Sequence, residues 1–172
     1  EQSAMGHAIT IKRPLTYHRV KFIKGFESYR VNGTPADCVA MGLYHLGKVD
    51  LVLSGINVGS NLGSDIWHSG TVAAAKQGVI LGVQAIAFSQ VIHGEEPTYE
   101  KQKPYIAEII KMLTQGDQPR LVNVNLPEDP VGLRWTHQSI RHYNGAMVEG
   151  QDPNGRKHFW FAATPLSNPD EH

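Results

Sequence analysis

The residues best suited to chemistry in this chain lie in one loop, residues 54–70, which is rich in glycine and small polar side chains. Glycines permit close approach of a ligand to the backbone, while hydroxyl and amide groups offer neutral donors and acceptors. The polar side chains of the loop are those of Ser54, Asn57, Ser60, Asn61 and Ser69. Oxygen-rich groups of this kind suit an anion or a hard cation, so the loop is the first candidate for a ligand site.

The end of the loop adds a candidate phosphate site. Ser69, Gly70 and Thr71 open a predicted helix, and the free backbone N–H groups and the dipole of a helix N-terminus favour a phosphate. An ordinary helix cap at Ser69 or Thr71 explains the same residues equally well from spacing alone. The loop also matches none of the common phosphate-loop, dinucleotide or nucleophile-elbow patterns. Position and polarity therefore leave both interpretations open.

The elements around the loop alternate between strand-like and helix-like patterns, which predicts an α/β fold with a mostly parallel sheet. A buried strand at 49–53 precedes the loop and a helix at 71–80 follows it. Open α/β sheets bind ligands beyond the carboxyl ends of their strands, where this loop would lie. The other predicted strands are 7–13, 27–31, 85–88 and 121–124, and the other predicted helices are 36–46, with Thr34 as its cap, and 99–113.

The sequence becomes more polar and alternating from residue 133 onward. Residues 152–155, Asp-Pro-Asn-Gly, form a strong turn signal between predicted strands at 134–140 and 157–162. This pattern predicts an antiparallel hairpin arm over residues 133–162. Because a two-stranded ribbon is marginally stable alone, we expect the arm to pack on something else, such as a second subunit.

Length, charge and cysteine content set broader bounds. The 172 residues are enough for a single domain, and 16 Lys and Arg balance 16 Asp and Glu, so no overall field attracts nucleic acid or an anionic membrane. No segment has the roughly 20 apolar residues of a membrane helix. The single cysteine, Cys38, favours the cytoplasm, and its apolar helical neighbours predict a buried, inert thiol. The nine histidines lack zinc-site spacing.

Four motifs, and a fifth further along the chain, resemble the SurE (survival protein) family. They are EQSAMGHAIT at 1–10, GTPADCV at 33–39, SGIN-x-G-x-N-x-G at 54–63, HSGTV at 68–72, and NVNLP at 123–127. The resemblance implies a Rossmann-like, three-layer α/β fold and a phosphatase of nucleoside monophosphates that uses a divalent metal, Mg²⁺ or Mn²⁺. It further implies 5′-nucleotidase activity, with 3′-nucleotides and polyphosphate as additional substrates, and a homodimer or homotetramer built through C-terminal arms.

The same resemblance implies residue roles. It assigns metal binding to Ser3 and Asn57, and phosphate binding to Asn61, Ser69, Gly70 and Thr71. The family's adjacent aspartates, in an Asn-Asp-Asp-Gly motif, do not occur in this sequence, so we expect the chain to lack the first strand and helix of the fold as well as a C-terminal continuation. Without those carboxylates metal affinity should fall steeply.

The catalytic residue is therefore unassigned. His68 is a candidate proton donor to the leaving oxygen, with a packing role as the alternative. A nucleotide- or phosphate-binding module without turnover, or an assembly protein, remain alternatives to the enzyme.

Overall fold

The computed structural model describes residues 4–92, 98–140 and 143–165. Its first elements are two short antiparallel strands, β1 (Tyr17–Val20) and β2 (Ser28–Val31), followed by helix α1 (Pro35–Leu46). The predicted strand at 27–31 and helix at 36–46 are confirmed. The capping box visible in the sequence forms: Thr34 Oγ1 accepts the N–H of Asp37, and the Asp37 carboxylate accepts the N–H of Thr34.

The predicted strand at 7–13 is wrong, because this segment lies as an irregular chain across the start of α1. Its backbone groups bond to side chains instead of to a neighbouring strand. The Thr10 N–H donates to Asp37 Oδ1 at 2.9 Å, and the Ala8 carbonyl accepts from Thr34 Oγ1 at 2.7 Å. Since the cap residues of α1 take these groups, no ladder can form there.

The centre of the molecule is a three-stranded parallel sheet with the order β3-β4-β5. Strand β3 (Leu51–Val58) leads through a 3-10 helix (Gly63–Trp67) to helix α2 (Gly70–Ile80), which is followed by β4 (Gln84–Gln90), α3 (Lys103–Leu113) and β5 (Leu121–Leu126). The three strands and two α-helices were expected from the sequence, with the 99–113 helix beginning later, at Lys103, whereas the 3-10 helix lies in the stretch predicted to be loop. The α/β prediction with a parallel sheet is confirmed.

Strand β4 separates two apolar clusters, one on each face of the sheet. Small residues face α2: Ala85 and Ala87 pack with Val72 and Ala75. Large residues face α3: Ile86 and Phe88 pack with Ile109, Leu113 and Leu126. Side chains alternate along β4, which is buried from Ala85 to Gln90, so small residues let α2 approach one face while large residues fill a thicker core on the other. Helix α1 packs against α2.

The chain ends in an antiparallel hairpin, β6 (Tyr143–Gln151) and β7 (Lys157–Pro165). The predicted turn is present, since Asp152 Oδ1 accepts the N–H groups of Asn154 and Arg156 at 2.8 and 2.9 Å. The predicted strand at 157–162 is confirmed, but the one at 134–140 is wrong. A tight turn pairs the residues directly before it with those directly after it, so the first strand of the hairpin ends at Gln151, next to the turn. Residues 134–140 lie too far from the turn and are irregular.

Among the residues described, no helix has the length and apolar character needed to cross a membrane.

Candidate functional site

A cleft of about 1240 Å³ opens where β3 ends, beside the N-termini of α1 and α2. It brings together the predicted site residues that the structure describes. These are Asn57, Asn61, His68, Ser69, Gly70 and Thr71. Ser3, the other predicted metal ligand, lies outside the described residues. Residues from the end of a strand and the start of the following helix therefore share one wall, as the α/β interpretation of the sequence requires.

Asn57, near the end of β3, holds its side-chain oxygen toward the start of α2. Its amide nitrogen donates to the carbonyls of Val58 and Gly59, at 3.2 and 2.8 Å. Its Oδ1 accepts a hydrogen bond from Thr71 Oγ1 at 3.2 Å. Because the nitrogen is committed to the loop backbone, the oxygen is the atom that Asn57 offers to a ligand beside Thr71.

The start of α2 combines a helix cap with free backbone donors. Ser69 is the N-cap, and its Oγ accepts the N–H of Val72 at 3.1 Å. Helix geometry gives the N–H groups of Gly70 and Thr71 no intrahelical acceptor, and both residues line the cleft. Gly70 also lets α2 approach α1, because a Cβ there would lie 2.9 Å from Pro35 Cγ. The capping and phosphate interpretations of this segment are thus compatible, since they use different atoms.

Asn61 lines the cleft but is largely buried, with 6% of its surface exposed. Its amide nitrogen donates to Ser89 Oγ at 2.6 Å. Its backbone N–H donates to Asn125 Oδ1 at 2.8 Å, and its carbonyl accepts from both Asn123 and Asn125. Because phosphate oxygens accept hydrogen bonds, the second N–H of the Asn61 side chain is the group that suits the predicted phosphate contact.

The rest of the loop is anchored at three further points. The Gly59 N–H donates to the Gln90 carbonyl at 2.8 Å, and Gln138 Nε2 donates to the Gly63 carbonyl at 3.1 Å. Tyr143, the first residue of β6, donates its hydroxyl to the Asp65 carboxylate. The base of the hairpin arm thus reaches the loop that carries the site.

Sequence reasoning missed three charged residues that line the cleft: Arg13, Arg30 and Asp65. Arg13 and Arg30 come from the segment before α1, and Arg13 donates to the Asn32 carbonyl at 2.8 Å. Asp65 lies inside the loop and is a carboxylate that the motif comparison did not single out. The position of Asp65 within the motif-rich stretch was a usable signal, whereas no local pattern marks the two arginines.

Cys38 is exposed and lines the cleft, so the prediction of a buried thiol is wrong. Helix α1 buries Ala36 and Asp37, and the cleft side that carries Cys38 stays open. Desolvation by nearby atoms, together with the negative charge of Asp37, raises the pKa of the Cys38 thiol above its ordinary value. The thiol is accordingly protonated near neutral pH, which argues against a nucleophilic role.

Asp37 fixes the wall of the cleft at the start of α1. Burial raises the pKa of its carboxyl, but hydrogen bonds from Thr10 and Thr34 outweigh this, and the pKa lies below its ordinary value. A carboxylate at a helix N-terminus is also favoured by the helix dipole. Asp37 therefore stays ionised as a structural group and holds segment 8–10 against α1.

The polar groups of the cleft fit the neutral part of a hard-cation site. Asn57 Oδ1 is an oxygen ligand of the type that Mg²⁺ and Mn²⁺ accept. Across the described ranges, no group of three or more His, Cys, Asp and Glu side chains is arranged to hold a metal ion. Most of the negative charge that such a site needs would have to come from other residues.

His68 is exposed at the mouth of the cleft, directly before the cap of α2. Its backbone is held at both ends, with its N–H on the Asp65 carbonyl at 3.1 Å and its carbonyl accepting from Gly6 at 2.9 Å. The imidazole is thus carried on a fixed backbone at the edge of the candidate site.

Comparisons with known proteins agree with this architecture. The sequence profile described as "Survival protein SurE" matches residues 1–145. The chain is 44% identical to 5′-nucleotidase SurE 1 of Thermus thermophilus, covering 99% of this chain and 70% of that protein. It is 46% identical to 5′-nucleotidase SurE of Deinococcus radiodurans, covering 98% and 65%.

A solved structure, the SurE protein of Aquifex aeolicus, matches with a TM-score of 0.73 and 39% identity, covering 94% of this chain and 67% of that one. The chain thus spans about two thirds of the length of these relatives. On this profile, these identities and this shared fold, the chain belongs to the SurE family.

Proposed function

We propose that the protein is a metal-dependent phosphomonoesterase that hydrolyses nucleoside monophosphates to nucleoside and phosphate. Its family membership and the name of its relatives, 5′-nucleotidase SurE, support nucleotidase function. The observation that carries the proposal to particular residues is the 3.2 Å contact between Asn57 Oδ1 and Thr71 Oγ1. It puts a candidate metal-ligand oxygen beside the helix start that suits a phosphate.

In this proposal the phosphate lies at the N-terminus of α2. The N–H groups of Gly70 and Thr71 donate to its oxygens, and the helix dipole adds to the attraction. Arg13 and Arg30, which also line the cleft, supply its cationic charge. The Ser69 side chain keeps this helix start in place through its bond to Val72.

Asn57, together with Ser3, would contribute neutral oxygens to the metal, with Mg²⁺ and Mn²⁺ as the proposed ions. When bound, the metal supplies charge that polarises the phosphoryl oxygens. The anionic ligands would be the adjacent aspartates that this sequence does not contain. His68, exposed at the edge of the cleft, is the proposed proton donor to the leaving nucleoside oxygen.

The proposed partner is a second copy of the chain, bound through the hairpin arm in a homodimer or homotetramer. Both faces of the hairpin carry exposed apolar side chains: Met147, Phe159 and Phe161 on one face, Val148 and Trp160 on the other. Apolar surface of this kind is typical of an interface. The proposed compartment is the cytoplasm, where the lone Cys38 would stay reduced.

The test is phosphate release from nucleoside 5′- and 3′-monophosphates by the full-length protein, with Mg²⁺ or Mn²⁺ added. We expect release that depends on the metal, and a loss of roughly a hundredfold in Asn57→Ala, because a metal ligand is removed. Asn154→Ala, in the turn of the arm, is the matched control and should keep full activity. Retention of nucleotide without product would identify a binding module instead, and near-normal turnover of Asn57→Ala would refute the placement of the site.

A further inference from the structure

We propose that Asn123 and Asn125 of β5 are positioning residues for the candidate site. We call these two side chains the asparagine clamp. They hold the loop between β3 and α2 through the backbone of Asn61, and thereby fix the side-chain oxygen of Asn57 near Thr71. This inference rests on the proposed function, because it concerns the same phosphate and metal site.

The clamp binds both backbone polar groups of a single residue, Asn61. Asn125 Oδ1 accepts the Asn61 N–H at 2.8 Å, while Asn125 Nδ2 donates to the Asn61 carbonyl at 3.1 Å. Asn123 Nδ2 donates to that same carbonyl at 2.9 Å. One asparagine amide therefore does for Asn61 what a neighbouring strand does for a residue in a sheet, by taking its donor and supplying its acceptor.

The register of the sheet places these residues at one level. Asn57 lies opposite Ser89, and Ser89 lies opposite Asn125, so a polar row crosses the three strands where the sheet meets the cleft. Ser89 is fully buried and accepts from the Asn61 side chain at 2.6 Å. The candidate ligand Asn57 and the clamp are thus two ends of one row, joined through Asn61.

Burial makes the clamp necessary. Asn61 is only 6% exposed, and a buried backbone N–H or carbonyl without a partner costs about as much as a lost hydrogen bond. The loop here runs over the end of the sheet, outside the strand ladders. Side chains from β5 are therefore what satisfies this peptide, and an asparagine is required because an aspartate at 125 could accept but not donate.

Loss of the hydrogen bonds to Asn61 should affect Asn57 through the short stretch of chain that joins them. Three residues separate Asn57 from Asn61, and the Gly59 N–H between them is bonded to the Gln90 carbonyl. Release of Asn61 leaves Gly59 as the next anchor, so the backbone carbonyls that orient the Asn57 amide gain freedom. Phosphate or metal binding then has to order the loop, which lowers affinity.

The experiment compares Asn125→Ala, Asn125→Asp and Asn123→Ala, using NMR hydrogen exchange, inorganic phosphate titration and thermal unfolding. In Asn125→Ala we expect the Asn61 amide to exchange at least about tenfold faster, and phosphate affinity to fall about three- to tenfold, as one or two hydrogen bonds are lost. In Asn125→Asp the Asn61 amide should stay protected while affinity still falls, because only the donor is gone. Asn123→Ala should lower affinity about two- to threefold without exposing that amide.

Gln118→Glu is the matched control, since Gln118 donates to the Gln115 carbonyl in an exposed turn away from the cleft. It should change neither exchange at Asn61 nor phosphate affinity. A protected Asn61 amide in Asn125→Ala would overturn the clamp. Unchanged phosphate affinity in both alanine variants, with exchange altered, would overturn its positioning role.

The two proposals fail separately. If the full-length protein releases no phosphate from nucleotides, the proposed activity is wrong, while exchange at Asn61 and phosphate affinity still decide the clamp. If the wild-type protein binds no phosphate, the chemical shift of the Asn57 side-chain amide replaces the titration. It should move in Asn125→Ala, and an unmoved shift counts against the proposal.

Discussion

The loop between β3 and α2 and the hairpin β6–β7 are opposites in how they are held. The loop has little regular structure, yet side chains and carbonyls from β4 and β5, together with Gln138 and Tyr143, bind it. The hairpin is a regular ladder of nine-residue strands, yet Phe159, Trp160 and Phe161 are 55%, 69% and 72% exposed. Regularity and anchoring are therefore separate properties in this molecule.

This contrast between the loop and the hairpin shows which interactions stabilise each segment. Backbone pairing within the hairpin satisfies hydrogen bonds but buries little apolar surface, so the hairpin depends on contacts outside itself. The loop buries polar groups and depends on specific partners from two strands. We expect substitutions near the loop to act within one chain and substitutions on the hairpin to act on association.

The largest contrast should come from removing one aromatic side chain from β4, the strand that anchors the loop, and one from the hairpin. Phe88→Ala removes a ring that is 3% exposed in the cluster packed on α3, and should lower the free energy of unfolding by about 3–5 kcal/mol. Trp160→Ala on the hairpin should cost less than about 0.5 kcal/mol in the monomer. Urea unfolding measures both, and sedimentation should show weaker association for Trp160→Ala alone. Equal losses in the monomer would remove the distinction.

The next effect tests the close approach of β3 and β4 at the loop. Gly55 has φ +117°, and a Cβ there would lie 2.3 Å from the Phe88 carbonyl oxygen. Gly55→Ala should cost about 1–3 kcal/mol for overpacking, in addition to the backbone strain. Gly82→Ala, at φ +93° with open space around it, carries the backbone strain alone, about 1–2 kcal/mol. Similar unfolding free energies for the two variants would contradict the steric argument.

A smaller effect is expected at the cap of α1. Thr34→Ala removes the acceptor of the Asp37 N–H and the donor to the Ala8 carbonyl, and should cost about 1–2 kcal/mol. Thr114→Ala removes a hydroxyl that bonds to carbonyls at an exposed helix end, and should cost less than about 0.5 kcal/mol. Thermal unfolding compares the two. No difference between them would show that the cap adds nothing to the cleft wall.

Acid should weaken the same wall through Asp37. Because hydrogen bonds lower the folded-state pKa of its carboxyl below the ordinary 3.8, its stabilisation is present above about pH 4 and is lost as the pH falls through the lower folded value. The unfolding free energy of the wild-type chain should therefore fall more steeply below pH 4 than that of Asp37→Asn. Parallel pH profiles for the two proteins would show that the carboxylate is not the group responsible.

The smallest effect belongs to the hairpin's surface ion pairs. Lys157 and Glu149 lie 2.7 Å apart with side chains 62% and 47% exposed. Solvent screening and side-chain entropy leave such a pair worth less than about 1 kcal/mol, so Lys157→Ala should hardly change urea unfolding. A loss above this value would mean that the hairpin is stabilised internally more than its exposure indicates.

Local sequence signals were sufficient for the elements that flank the site. The cap at Thr34, the buried run before Ser54 and the alanine-rich stretch after Thr71 each determine their structure through neighbouring residues, and the structure agrees. The strand predicted at 7–13 failed because the partner groups come from α1, 27 residues away in the bond from Thr10 to Asp37. Alternation alone does not reveal such competition.

The detail of the site was less predictable for the same reason. The partner of the Asn61 backbone, Asn125, is 64 residues away, and Tyr143 is 78 residues from Asp65. Motif resemblance placed Asn57, Asn61 and Thr71 in one region, and the structure brings them to one cleft. The motif resemblance did not indicate Arg13 and Arg30. The apolar neighbours of Cys38 led to the wrong prediction that its thiol is buried.

The polar row of Asn57, Ser89 and Asn125 also favours the native register between β4 and β5. A slip of one residue between β4 and β5 would turn the Asn125 side chain to the apolar face packed on α3. A slip of two that sets Asn125 opposite Ala87 would leave the buried backbone N–H of Asn61 without its acceptor. Each unpaired group would cost about 1–3 kcal/mol, so misaligned sheets are penalised during folding by the same atoms that shape the cleft.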